Sequence, residues 1–506
     1  MNGLFFILVM LPALAGILFV ASSFVDHSKI TNLTGGKENI PEEGNLSALH
    51  GAVALILGIS MASVLYLAWT GEREFVLFQL MEDVPIYFHI DAIGRIFSTI
   101  VTIVWALAGI FSFVYMKHEG EEKRYFGFFM IVYSVLILLD FSGNLITMYC
   151  FYEMMTLTAL PLVFHNGSRE AIMATLKYLF YSMCGAYLGL FGIFTLYRYC
   201  DSLVFTTGGT LSAAAVEHKG ILLIAIFCML IGFGAKAGMF PLHGWLPAAH
   251  PVAPSPASAV LSGLIVKSGV LCIIRSVFYI VGPDFIRGTW VQYAWMTLAL
   301  LTVFMGSMMA YLEPIVKKRL AYSTVSQISY ILFGLAVLNE DGFVGALLHV
   351  ICHAFIKSGL FLSAGVFLFC LHKTRVEELK GIGKKMPVFL WCWTFFSLAL
   401  VGIPPFGGFV SKWYLAAGSL NASIGIFRYL GPVILLISAL LTAGYLLPVT
   451  MNGFLPGEDY EEITILHPFS KGLAIPLLVL AALSLVLGLF PNPILGFLTE
   501  IARTIL

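Results

Sequence analysis

The chain has 506 residues, of which 59% are hydrophobic and only 11% are charged, and its mean hydropathy is +0.93. Soluble domains carry about 25% charged residues, so this composition excludes an ordinary soluble protein and predicts one that lies in a lipid bilayer. The 28 Lys and Arg balance the 28 Asp and Glu, which removes any electrostatic reason to expect a nucleic-acid partner.

Long apolar runs recur along the chain, and each is close to the roughly 20 residues that cross a bilayer as a helix. They predict an all-α polytopic membrane protein with about fourteen transmembrane helices. Polar stretches interrupt the runs at 26–46, 71–85 and 373–385. The second stretch leads into EFVLFQLMEDVPIYFHI, whose alternation of apolar and polar residues predicts a short β-hairpin outside the membrane.

Lys and Arg are concentrated in the loops that follow odd-numbered predicted helices. Short loops rich in these residues stay on the cytoplasmic side of a membrane. We therefore expect the odd-numbered loops in the cytoplasm, and both termini and the hairpin on the external side.

Several apolar runs contain ionisable residues well inside the predicted helices. An ionised group at the bilayer centre costs roughly 3 kcal/mol and is a functional candidate by default. Lys177 and Lys412 lie near enough to predicted helix ends for their side chains to reach the interface. Glu153 and Lys236 could form a purely structural ion pair. Buried pairs rarely gain net stability, so this many buried charges favours a path for ions. The candidates are Glu153, Lys177, Lys236, Lys267, His349, His353, Lys357 and Lys412.

Three of these residues, His349, His353 and Lys357, are spaced four apart and therefore lie on one face of a helix. H-x-x-x-H is a zinc-binding spacing, but a lysine four residues further on repels a cation. Interior histidines with satisfied hydrogen bonds are a second interpretation. A proton relay is the third, and it is favoured because imidazole both accepts and donates a proton near neutral pH.

Two predicted helices are interrupted by Gly and Pro, in GFGAKAGMFPLHGWLP (232–247) and GIPPFGGFVSK (402–412). Irregular backbone at membrane depth persists only where it faces protein or a water-filled cavity, and interrupted helices in two halves of a transporter indicate its ion site. Lys236 lies at the first break and Lys412 at the second. The pattern suggests two related five-helix units, although the lysine precedes the prolines in one and follows them in the other.

The cysteines form no C-x-x-C pair, and no dinucleotide or P-loop fingerprint occurs in a suitable context. Clustered cysteines are needed for iron–sulfur and zinc-finger sites. We therefore expect no cofactor and no metal centre, which argues against a redox or quinone-binding subunit.

Five segments resemble the antiporter-like subunits shared by respiratory complex I, membrane-bound hydrogenases and Mrp-type Na⁺/H⁺ antiporters. These segments are 151–157 (FYEMMTL), 232–275, 317–330 (KKRLAYSTVSQISY), 345–365 and 402–414. The resemblance implies fourteen helices with two inverted five-helix repeats and broken seventh and twelfth helices. It divides the chain into N-terminal helices with the hairpin (1–115), a first repeat (116–282), a second repeat (283–453) and a C-terminal helix (454–506).

The resemblance also implies roles for the candidate residues. Glu153 resembles the fifth-helix glutamate that pairs with the seventh-helix lysine, here Lys236. The remaining candidates resemble, in chain order, a sixth-helix base, the eighth-helix lysine, the eleventh-helix relay and the twelfth-helix lysine: Lys177, Lys267, His349, His353, Lys357 and Lys412. The chain departs from the family at Ala248 and Ile315, where an acidic residue is common. Both positions are expected near the surface, so we expect these departures to change loop contacts and not ion passage.

From the resemblance we expect a subunit that translocates H⁺, or Na⁺, beside other membrane subunits in the plasma membrane of a prokaryote. The preferred host is a redox-driven complex related to membrane-bound hydrogenase or complex I, in which this chain is not itself an enzyme. A multi-subunit Na⁺/H⁺ antiporter of the Mrp type is the alternative host. A more distant alternative is a stand-alone secondary transporter, which would move its solute when expressed alone.

Overall fold

The computed structural model describes residues 2–34, 43–71, 73–81, 84–457, 460 and 463–506. Most of them are helical. The helices are α1 (Asn2–Thr34), α2 (Glu43–Trp69), α3 (Ala92–Glu119), α4 (Glu122–Asp140), α5 (Leu145–Val163), α6 (Arg169–Tyr199), α7 (Lys219–Ala237), α8 (Leu246–Val252), α9 (Ser255–Val281), α10 (Trp290–Leu312), α11 (Val316–Ala336), α12 (Glu340–Leu371), α13 (Pro387–Val401), α14 (Gly407–Asn421), α15 (Phe427–Phe454), α16 (Lys471–Leu489) and α17 (Asn492–Ile505).

Within the described residues, 11 helices are long and apolar enough to cross a membrane. This number and the mainly helical fold confirm a multi-pass membrane protein. Two helices are buried along almost their whole length: every residue of α9 is buried, and so are nearly all residues of α12. Helices that are apolar all round lie in the interior of a bundle, and these two form its centre.

The predicted hairpin is present. Strand β1 (Arg73–Met81) pairs antiparallel with β2 (Val84–Ile90), and alternate residues of β2 are buried. The hairpin is tied to the loop after α4, where Gly143 N–H donates to Tyr87 O at 2.9 Å. The loop after α6 and the last turn of α9 join it at the same end of the bundle, through a bond of 3.0 Å from Leu145 N to Leu203 O and one of 2.8 Å from Thr210 N to Ile280 O.

Another set of loops meets at a different end of the bundle. The loop after α10 pairs with the loop after α12, where Val316 N–H donates to Thr374 O at 2.9 Å. The loop after α12 also contacts the end of α15, through a bond from Gly381 N to Asn452 O (2.9 Å). The last turn of α12 contacts the segment before α16, through a bond from Leu466 N to Cys370 O (2.8 Å). Loops that alternate along the chain therefore gather in two groups, as a helix bundle with up-and-down crossings requires.

Some boundaries differ from the sequence-based expectation. Both helices extend into the polar stretch at 26–46, since α1 continues to Thr34 and α2 begins at Glu43. Residues 35–42 lie outside the described residues. The expected division at 115 falls inside α3, which ends at Glu119. Helix α17 was not predicted at all: it is too short and too polar to resemble a span, and it buries only one side, with Leu498, Ile501, Ala502 and Ile505.

Candidate functional site

Lys236 lies in the last turn of α7, where the first broken helix is interrupted. Gly238 follows with φ 78°, a left-handed conformation that suits glycine and ends the helix. Lys236 is 0% exposed, and its ammonium donates to the hydroxyl of Thr156 on α5. The ammonium also lies 4.8 Å from the ring centroid of Tyr152 and 5.5 Å from that of Tyr178. A hydroxyl and two aromatic faces therefore surround this buried cation.

Glu153 lies midway along α5, one turn before Thr156, and is half-buried. Its Oε1 atom is buried and accepts no hydrogen bond from any residue that the structure describes. Among the described residues, the ion pairs within 4 Å do not include one between Glu153 and Lys236. The two groups expected to pair are thus neighbours rather than direct contacts, and Thr156 takes the position beside the ammonium.

Lys267 lies on the central helix α9, directly after a π-helical turn at Leu261–Ile265. Such turns are frequent at functional sites because they release backbone carbonyls from the regular ladder. The Lys267 ammonium donates to Gly263 O and, at 3.4 Å, to Ser262 O. Its third contact is with His353 Nδ1 on α12, at 2.9 Å. Two buried bases on different helices therefore share one hydrogen bond.

The α12 face continues from this contact in both directions. The rings of His353 and His349 are 6.1 Å apart, and His349 Nδ1 is 2.9 Å from the Ser411 hydroxyl. The Nε2 atoms of both rings are buried and bond to no group in the described part of the chain. One turn beyond His353, the buried ammonium of Lys357 donates to Leu320 O on α11 at 3.0 Å.

Lys412 lies in the second turn of α14, the second half of the other broken helix, and its side chain turns back toward the first half. Its ammonium donates to Leu400 O at 2.5 Å and to Val401 O at 3.0 Å, the last carbonyls of α13. It also lies 5.0 Å from the ring centroid of Tyr330, which stacks on His349 at 5.7 Å. Tyr330 thus bridges the space between His349 and Lys412.

The two breaks are alike in a way that the sequence order concealed. Gly402, with φ 91°, ends α13 as Gly238 ends α7. Lys236 belongs to the last turn of α7, and Lys412 reaches the last turn of α13 from the far side of its break. The Lys412 ammonium therefore meets the negative end of the α13 dipole, which favours a cation, whereas the Lys236 ammonium donates to Thr156 on α5.

The interior groups Lys236, Lys267, His353, His349 and Lys412 form a line through the bundle, and Lys177 does not join it. Its side chain is exposed on the outer face of α6, and its ammonium lies 6.0 Å from the ring centroid of Tyr181. The structure therefore brings together Lys267, His353 and His349 directly and Lys412 through Tyr330, with Lys236 in the neighbouring broken helix. The functional roles of the candidate residues remain predictions.

Sequence reasoning missed several polar groups of the interior. Arg275, in a second π-helical turn of α9, makes a bidentate contact with Asp91 at 2.5 and 2.7 Å. Asp140 is 1% exposed, and its Oδ2 has no hydrogen-bond partner among the described residues. His250 is 0% exposed and stacks on Phe361 at 4.5 Å. An arginine in the run GVLCIIRSVFYIV was the available signal for the first of these.

The sequence of the chain matches the family described as "NADH:quinone oxidoreductase/Mrp antiporter, TM" over residues 142–442, more than half of its length. The chain belongs to this family. Residues 79–126 also match the family described as complex I chain 5 N-terminus. The antiporter-like assignment rests on the helices that carry the breaks and the buried bases.

Relatives of this antiporter-like subunit occur in different assemblies. NADH-quinone oxidoreductase subunit N of Desulforudis audaxviator is 33% identical over 396 residues, which are 76% of this chain and 77% of the relative. Hydrogenase-4 component B of Escherichia coli is 32% identical over 343 residues, 64% of this chain but only half of the relative. The solved Mrp complex of Dietzia sp. contains a chain with the same fold, at a TM-score of 0.80 and 22% identity, with coverage of 99% of this chain and 97% of that one.

Proposed function

We propose that this chain carries protons across the membrane along its line of buried bases, as the antiporter-like subunit of a redox-driven complex. The observation that carries the proposal is the 2.9 Å contact between Lys267 and His353. Both groups are almost fully buried, at 2% and 0% exposure. Two cations this close in a low-dielectric interior repel strongly, so the pair carries at most one positive charge, on a proton that either nitrogen can take.

We order the line by the contacts of its side chains from Lys267 to Lys412. We place Lys236 at its start because α7 packs against α9 at Gly269. Lys236 begins it beside Glu153, whose carboxylate is the anion that can approach or leave the ammonium. Lys267, His353 and His349 form the middle, with Lys357 one turn away on α12. Lys412 ends it next to Tyr330. Movement of Glu153 changes the stability of the charged form of Lys236 and thereby drives a proton toward or away from Lys267.

The side chains of the line favour H⁺ over Na⁺ as the transported ion. Its ionisable members are mainly nitrogen bases, which accept and donate protons but, when protonated, repel Na⁺. Metal cations such as Na⁺ are held instead by carboxylate, carbonyl and water oxygens. An Mrp-like Na⁺/H⁺ antiporter remains the alternative function, favoured by the likeness to the Mrp complex of Dietzia sp..

A redox-driven host is supported by the sequence relatives named for NADH-quinone oxidoreductase and hydrogenase-4, at 33% and 32% identity. In such a host the other subunits carry out the electron transfer, and this chain is not an enzyme by itself. The outer face of α6 is a suitable contact surface for a neighbouring membrane subunit, because it carries the polar Lys177 among large exposed side chains such as Phe180 and Tyr187.

We propose fourteen crossings for the chain: α1 to α6, the α7–α8 pair, α9 to α12, the α13–α14 pair, α15 and α16. The similar breaks at Gly238 and Gly402 support two inverted repeats, at about 116–282 and 283–453, between an N-terminal unit (1–115) and a C-terminal unit (454–506). The excess of Lys and Arg in the odd-numbered loops supports external termini in the plasma membrane of a prokaryote.

Membrane vesicles that contain the intact host complex test the proposal. Vesicles are energised in turn by H₂, by NADH and by an imposed Na⁺ gradient, and internal acidification is followed with a fluorescent dye. We expect Glu153→Gln and Lys236→Ala to abolish proton movement while the complex still assembles, because each removes one member of the initial pair. Lys384→Ala, in the loop after α12, is the matched control and should transport normally.

Normal proton movement in both Glu153→Gln and Lys236→Ala vesicles would contradict the proposal. Acidification driven only by the Na⁺ gradient would favour the Mrp-like alternative. Transport of a solute by the chain expressed alone would favour a stand-alone secondary transporter.

A further inference from the structure

Three histidines that belong to distant parts of the chain meet at one end of the bundle. His118 lies in the last turn of α3, His372 caps the end of α12, and His467 precedes α16. One ring nitrogen of each lies within 4.8 Å of a nitrogen of the other two. The ring centroids are 4.7 Å apart for His118 and His467, 5.4 Å for His118 and His372, and 5.7 Å for His372 and His467.

The three rings converge without stacking, since their planes are inclined to one another by 54–65°. In a tetrahedral site with Zn–N bonds of about 2.0–2.1 Å, ligand nitrogens are ~3.4 Å apart. The observed separations need each ring to move by ~1 Å to reach that geometry. His118 and His372 are exposed and His467 is half-buried, so these movements do not require a repacked interior.

The backbone holds the three histidines in place independently of any ligand. Leu466 N–H donates to Cys370 O at 2.8 Å and thus fixes the residue before His467 next to the end of α12. His372 adopts φ 52°, and its N–H donates to Leu368 O at 2.9 Å. This left-handed cap is uncommon for a residue with a side chain, and it turns the chain at the point where the ring joins the other two.

We propose that His118, His372 and His467 bind one divalent transition-metal ion of the Zn²⁺ type, with a fourth position open to water. Neutral imidazole is a good ligand for Zn²⁺, Ni²⁺ and Cu²⁺, and three histidines with an open position form a recognised coordination set. The ion joins the ends of α3 and α12 to the segment that precedes α16. This site is separate from the buried bases, because 15 residues of α12 between Lys357 and His372 span ~22 Å.

The test uses the host complex isolated through this chain with an affinity tag that contains no histidine. After removal of metal with EDTA, the complex is titrated with Zn²⁺ alone against a chromogenic chelator, and bound metal is counted by mass spectrometry. We expect one Zn²⁺ per chain in the site. Co²⁺ in its place should give the visible absorption band of a tetrahedral centre.

Two variants locate the metal. His372→Asn keeps a residue that tolerates the left-handed backbone, and His467→Gln changes a loop residue, so both should assemble normally. Each removes one of three ligands and should weaken Zn²⁺ binding by about 100-fold or more, since even outer-shell changes cost 10–100-fold. His218→Ala, at an exposed histidine before α7, is the control and should bind as the unaltered chain does.

Absence of stoichiometric Zn²⁺ at micromolar free metal would overturn the proposal, as would equal binding by His372→Asn, His467→Gln and the control. Proton transport is not expected to depend on this site. The Lys236→Ala variant should therefore lose transport but still bind Zn²⁺. Its transport tests the proposed function, and its metal content tests the metal site.

Discussion

Replacing His353 by Gln separates proton transfer from hydrogen bonding at the centre of the line. A glutamine amide can still accept a hydrogen bond from the Lys267 ammonium, which now lies 2.9 Å from His353 Nδ1. It cannot take up a proton. The next base, His349, lies beyond His353, with its ring centroid 6.1 Å from that of His353, whereas direct transfer needs about 3 Å.

We expect His353→Gln to slow proton uptake by about 100-fold or more, which is the lower range for loss of a positioned acid–base group. The assay is the initial rate of acidification in vesicles that hold the intact complex, normalised to the amount of assembled complex. His353→Leu should transport equally poorly but should also destabilise the chain, because it leaves the buried Lys267 without this acceptor. Transport by His353→Gln at half the normal rate or more would refute the proposed path.

Two further predictions concern stability. Asp91→Asn removes the anion from the bidentate contact with buried Arg275 and should lower the free energy of unfolding by about 3–5 kcal/mol. The double variant Asp91→Asn with Arg275→Met should lose less than the single variant in denaturant unfolding, and a larger loss would contradict the account. The second prediction is a pH dependence: the backbone N–H groups of Arg375 and Thr374 donate to the Glu378 carboxylate and hold its pKa below the usual value. A lowered folded pKa gives stability that is present above pH ~4.3 and lost as the pH falls through the folded pKa. Protection of this loop against hydrogen exchange, corrected for the intrinsic pH dependence of the exchange rate, should therefore fall in acid more in the unaltered chain than in Glu378→Gln. An equal loss of protection in both would exclude this cap.

The sequence predicted what is local along one helix. A spacing of four residues was enough to put His349 and His353 on one face of α12, and the cost of a buried charge was enough to select Lys236 and Lys267. The alternation of apolar residues likewise predicted the hairpin. These inferences need only the geometry of a single element and the polarity of its surroundings.

Contacts between helices were less accessible, because they depend on crossing angles and side-chain rotamers. The family resemblance implied that Glu153 pairs with Lys236, whereas Thr156, one turn away on the same helix, occupies that position. Nothing in the order of residues indicated that Lys412 turns back to α13. The meeting of His372 with His467 depends on a loop whose path is set by tertiary hydrogen bonds.

The fold-back of Lys412 onto the last carbonyls of α13 joins the two halves of the second broken helix. The carbonyls belong to the half before the break, and the ammonium belongs to the half after it. In the proposed path, a proton that leaves Lys412 also removes the charge from these hydrogen bonds and weakens them. The protonation of this lysine and the shape of the backbone at the break are then coupled.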